Sequence, residues 1–223
     1  MDKEIKICLP FYKIAYSVFF VAVLSVVRGV SLTDEIGIAL EAPMAALAAV
    51  LCADTYVQEI ISKRSEVEQL YPMKRRMRSM LKRMVIQEIY LLILAVAGYG
   101  MFYMIQKPRP LYGPSLQIED ELRMLLIYTA AIAVTLNFWG ILSHTLSCLF
   151  RSMWVGMGFC LFLWIIKNST AGERLLGKWN VFSYTFRNTQ DNGDLSWICG
   201  KMLCLLLSIT MAVMLPKIVE KRG

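Results

Sequence analysis

QEIISKRSEVEQLYPMKRRMRSMLKR, residues 58–83, lies between two apolar runs and carries eight Lys and Arg against three Glu, too much charge to enter a bilayer. Basic loops stay on the cytoplasmic side of a membrane, so this stretch fixes the orientation of everything around it. Ser65-Glu66-Val67-Glu68 reads as a capping box that satisfies the free N–H groups of a first helical turn. Pro72 is expected to end that helix about two turns later, because proline cannot continue a hydrogen-bonded turn. The expectation is a short helix lying across the cytoplasmic face.

Outward from this stretch, the 223-residue chain is 57% hydrophobic, and several apolar runs approach the roughly 20 residues needed to cross a bilayer as a helix. Their apolar residues lie on all sides of each segment, with the charges collected between segments, which excludes an ordinary soluble domain. The net charge of +7 is accounted for by basic loops against anionic lipid, without nucleic acid. The reading is an all-α polytopic membrane protein, a single domain over 1–223, with six spans at about 11–27, 36–57, 84–105, 124–142, 149–166 and 197–215. Lys3, Lys6 and Lys13 place the N-terminus inside, Lys217, Lys221 and Arg222 the C-terminus, and most of the 24 Lys and Arg then face the cytoplasm. No small-residue cleavage site follows the first run, so it is read as an anchor and not as a signal peptide. Arg151 interrupts the fifth span, whose uncharged run Met153 to Ile166 is short unless Leu149 and Phe150 count towards it, and the proline-rich loop 106–123 and the polar loop 167–196 are expected outside.

The small residues of Ala42-Pro43-Met44-Ala45-Ala46-Leu47-Ala48-Ala49 place the second span in a helix–helix or subunit interface. Glu41, Asp54 and Glu88 lie in or at the edges of apolar segments, and an intramembrane carboxylate must pair or face water. Asp54 and Glu88 are expected to pair with Lys63, Arg83 or Arg151 near the inner interface; Glu41 is as well suited to a pathway as to structure.

Other chemistry is sparse. Gly172-Glu173-Arg174-Leu175-Leu176-Gly177-Lys178-Trp179 matches most of a phosphate-binding loop, but Trp179 stands where Ser or Thr must reach magnesium, and no buried strand precedes it. Thr170–Glu173 reads instead as the capping box of a short external helix, and Asn168-Ser169-Thr170 as a glycosylation acceptor. His144 and Cys148, four apart on a helix, are the minimum for a cysteine nucleophile, yet a polar His at a span end and a small apolar Cys explain them as well. The six Cys are scattered, with neither a disulfide framework nor the spacing of a metal site. No catalytic, cofactor or metal residue is assigned.

At the basic loop the chain resembles the ABC-2-type permeases, the membrane subunits of ABC exporters, and within them the small bacterial six-span proteins. Glu59, the helix from Ser65, then Pro72, Arg75 and Lys82 occupy the family's places in order, with Tyr71 where Leu is usual and Lys74 where a small polar residue is common. Gly140-Ile141-Leu142-Ser143 through Leu149-Phe150-Arg151-Ser152 is also similar to that family. The resemblance implies a permease in the bacterial plasma membrane, paired with a second copy or a related chain. It also implies cytoplasmic ATPase partners that bind the ATP and magnesium this chain does not. In the family the first cytoplasmic loop carries a coupling helix, which maps onto Ser65, Glu66, Val67, Glu68, Leu70, Tyr71, Pro72, Met73, Lys74, Arg75 and Arg76. Val67, Leu70, Tyr71 and Met73 would anchor in an apolar groove while the three basic residues meet an acidic rim. The implied cargo is an amphipathic peptide, as in phenol-soluble-modulin and bacteriocin-immunity exporters. The alternatives are an intramembrane cysteine peptidase using His144 and Cys148, and a membrane assembly factor without transport.

Overall fold

A computed structural model of the chain describes residues 2–55, 72–109, 118–187 and 195–222. The helices are α1 (Asp2–Cys8), α2 (Phe11–Val27), α3 (Glu35–Ala53), α4 (Met73–Gln106), α5 (Ile118–Phe150), α6 (Met153–Lys167), α7 (Thr170–Leu176) and α8 (Trp197–Arg222), with a 3₁₀ turn at Gly177–Trp179. Among the described residues there is no strand, only an isolated bridge between Leu32 and Arg109.

Four helices, α3, α4, α5 and α8, are long and apolar enough to cross a membrane, and a fifth span is counted if α6 and the α7–3₁₀ unit, bent by 73°, are taken together. At 17 residues α2 is about 25 Å long, the lower limit for a bilayer core. The expected spans locate these helices but misjudge their ends. α4 begins at Met73, eleven residues before the expected start, and α5 runs on to Phe150. Pro72 is the N-cap of α4, with extended ψ of 140°; the expected helix before it, from Ser65, lies outside the described residues. Proline is favoured there because a helix start has no use for its missing N–H. The basic residues 73–83 therefore continue the third span as one rod. Arg151 adopts a left-handed conformation, φ 52°, which breaks the chain between α5 and α6 and accounts for the short fifth span.

α3 is the centre of the bundle. None of its 19 residues is exposed, and α4, α5 and α6 pack around it. Ala39, Ala42, Ala45, Ala48, Ala49 and Ala53 are all buried, so the small-residue face serves close helix approach within the chain. Pro43 sits inside this helix and removes the hydrogen bond that Ala39 carbonyl would accept. Arg28, at the end of α2, donates from Nη1 to that carbonyl at 2.9 Å, and Trp164 of α6 donates from Nε1 to Ala42 carbonyl at 2.7 Å. The remaining surfaces of α2, α4, α6 and α8 expose large apolar side chains such as Phe19, Ile93, Phe162 and Ile209, as a lipid-facing bundle must.

Candidate functional site

Two buried ammonium–carboxylate pairs pin α3 near its two ends, about 20 Å apart along the helix. At one end Glu41, fully buried, receives Lys201 of α8. The same ammonium donates to Thr135 Oγ1 of α5 at 2.7 Å and to the Val181 carbonyl at 3.0 Å, so its three N–H bonds are all used. Glu41 also accepts from Thr135 Oγ1 at 2.9 Å and, on its second oxygen, from Thr185 Oγ1 at 2.6 Å. The pair is sealed and saturated, the condition under which a buried charge is tolerated. Chemically this is a lock joining α3, α5, α8 and the segment after the 3₁₀ turn.

That segment, residues 180–187, was expected to be part of an external polar loop. Asn180, Val181, Phe182, Ser183 and Tyr184 are instead buried among the helix ends. Phe182 stacks on Trp139 with centroids 5.6 Å apart, Ser183 Oγ donates to Trp197 carbonyl at 2.7 Å, and Asn180 Nδ2 donates to Lys167 carbonyl at 2.9 Å. Non-helical backbone is admitted into a bundle only when protein satisfies it, which these bonds do. Gly200 of α8 makes room: a Cβ there would lie 2.1 Å from Asn180 carbonyl. Nearer the surface, Arg187 covers the Tyr184 ring at 4.1 Å and donates to the Asp34 carbonyl at 3.3 Å. Burial raises the Asp34 carboxyl above the ordinary aspartate range, with Arg187 opposing.

At the other end of α3, Asp54 pairs with Lys13 of α2, a partner that proximity in the sequence did not suggest. Lys13 also donates to the Leu51 carbonyl at 3.1 Å, one of the four carbonyls a helix end leaves free, and its charge suits the negative end of the helix dipole. Gln87 of α4 completes the cap through Leu51 and Cys8 carbonyls and accepts from Thr55 Oγ1 at 2.8 Å. Arg83 is held by Glu4 of α1 at 2.8 Å. Glu88, expected to find a cation, is hydrogen-bonded by Asn137 Nδ2 at 3.0 Å. Lys63 falls outside the described residues. The three intramembrane carboxylates thus make three separate sites.

Of the expected coupling segment, Ser65, Glu66, Val67, Glu68, Leu70 and Tyr71 also lie outside the described residues. Pro72 and Arg75 are exposed and Arg76 half-buried on the first turns of α4, with Arg78 and Lys82 exposed beyond them. Met77, Met80 and Met84 pack these turns against Cys148, Leu215, Ile218 and Val219, so the basic face is carried on a rod braced by the last helix. His144 Nε2 and Cys148 Sγ are 3.8 Å apart, both buried. The phosphate-loop-like run 172–179 forms α7 and the 3₁₀ turn, and Gly172 N–H is spent on Ser169 Oγ at 3.2 Å. Ser169, one residue before the expected cap, is the N-cap of α7. All six cysteines are free.

Comparison with family models, curated proteins and solved structures gives no match for this chain.

Sequence reasoning passed over Lys201, the residue that organises the lock at Glu41. A lone lysine four positions into the last apolar run, matched by a lone glutamate early in the second, was the available signal.

Proposed function

We propose that the chain is the membrane subunit of an ABC exporter. It has six spans with both termini in the cytoplasm of a bacterial plasma membrane, and it works as a dimer with separate ATPase subunits. Its cargo is an amphipathic peptide or a similar hydrophobic molecule. One observation supports the reading: the basic segment between α3 and α4 is bounded by two rigid rods. α3 is enclosed on every side and pinned by Lys13 at the end that leads into the segment, and α4 continues the basic residues 73–83 straight into the bundle. A load applied there by a docked ATPase passes along α3 to the Glu41–Lys201 lock, which touches α5, α8 and the buried segment 180–187. Such a load moves the bundle only if the partner favours one packing over another.

α2 counts as a span in this topology, its 17 apolar residues crossing a bilayer core at the lower length limit. The sealing of Cys148, 2% exposed, weighs against a peptidase, whose thiol must reach a substrate carbonyl. The test is purification of the chain with its ATPase subunit from native membranes. Tyr71→Ala with Arg75→Ala is expected to lose both the bound subunit and the substrate-stimulated ATP hydrolysis. Retention of both in that variant, or loss of function in Cys148→Ala with no ATPase found, would overturn the reading.

A further inference from the structure

Glu88 stands apart from the other two intramembrane carboxylates. Glu41 and Asp54 each hold a lysine, whereas among the described residues no Lys or Arg pairs with Glu88, whose polar partner is the Asn137 amide. The two face a cleft of about 80 Å³ between α4 and α5, walled by Cys52, Leu81, Val85 and Leu136. Leu81 and Val85 are 61% and 43% exposed, so the cleft opens on the outer surface of the bundle, where lipid lies. Its depth follows from the helix. Glu88 is five residues beyond Arg83, about 7.5 Å further into the apolar zone.

An ionised carboxylate at that depth is costly unless a cation meets it, and the described residues, which met the other two, supply none here. The amide beside it adds an acceptor oxygen for a second N–H, and the aliphatic walls suit methylenes. We infer that this cleft binds a primary ammonium carried on an alkyl chain, the head seated between Glu88 and Asn137 and the chain lying along Leu81, Val85 and Leu136. The cytoplasmic-side leaflet as its point of access rests on the topology proposed above; the chemistry of the site does not. A neutral amphiphile of the same length gains the walls but not the head, and an anionic one is repelled.

The test uses the full-length chain in phosphatidylcholine nanodiscs and the equilibrium binding of radiolabelled dodecylammonium, with empty discs subtracted. One saturable site is expected. Glu88→Gln, which keeps shape and removes charge, weakens it about tenfold. Val85→Trp, an exposed substitution that fills the mouth, abolishes it, and dodecanol does not compete. Displacement by phosphatidylethanolamine in the discs assigns the site to a bilayer lipid; no displacement assigns it to a free amphiphile. Unchanged binding in Glu88→Gln overturns the inference. So does the absence of saturable binding to the parent protein; a change of oligomeric state in Val85→Trp alongside it would make the cleft a contact between copies. None of these readouts needs an ATPase, so a failure of the exporter reading leaves the result intact.

Discussion

Lys201 holds three groups with one ammonium, and its loss strands a carboxylate in a sealed site. Lys201→Met is expected to destabilise the fold by about 3–5 kcal/mol, the cost of leaving a buried charge without its partner. Adding Glu41→Gln removes that charge and recovers most of the loss. Thermal unfolding in detergent micelles reads both, and a Lys201→Met protein as stable as the parent would refute the lock. Lys13→Met is milder, because Gln87 still donates to Leu51 carbonyl. The sequence announced Glu41, Asp54 and Glu88 as residues needing partners, but their partners come from 160, 41 and 49 positions away. Local reasoning looked for the partner of Asp54 in the basic run that follows it, whereas Lys13 comes from the helix before.

At the scale of elements, the buried segment 180–187 depends on a small residue in its neighbour. Gly200→Ala would drive a methyl into Asn180 carbonyl and Ser183, and overpacking of this kind costs about 1–3 kcal/mol. The expected outcome is that the segment lifts while the helices stay. Cys204, fully buried against the Val181 carbonyl, then becomes reactive to maleimide with little change in helical content. Unchanged labelling would show that α8 can shift to absorb the methyl. Hydropathy could not reveal this segment: Asn180, Ser183 and Thr185 have the polarity of a surface loop, and only their bonds to Lys167, Trp197 and Glu41 show them to be inside. The long helices were legible because their apolar runs exceed what a loop carries. Their ends were not, since the basic residues 73–83 are good helix formers and simply extend α4.

For the whole molecule, the proposed topology makes a checkable statement about sides. Reporter fusions at the N-terminus, after Gly223 and within 56–71 should all read cytoplasmic, and fusions within 110–117 and 188–194 should read outside. A C-terminal fusion that reads outside removes one crossing and with it the six-span count. The small-residue run of α3 foretold close packing, and the fold places that packing inside a single chain, where α4, α5 and α6 gather around a helix with no exposed residue.

The two clamps on α3 also differ in when they can form. Asp54 follows Lys13 by 41 residues, so that pair closes as soon as the first hairpin has left the ribosome. Glu41 precedes Lys201 by 160 residues, and at about 5–20 residues per second it waits roughly 8–32 s for its counterion. For that interval the nascent bundle is an open account that only the last helix closes. A chain truncated before Trp197 would therefore insert its earlier helices yet remain a substrate for membrane quality control.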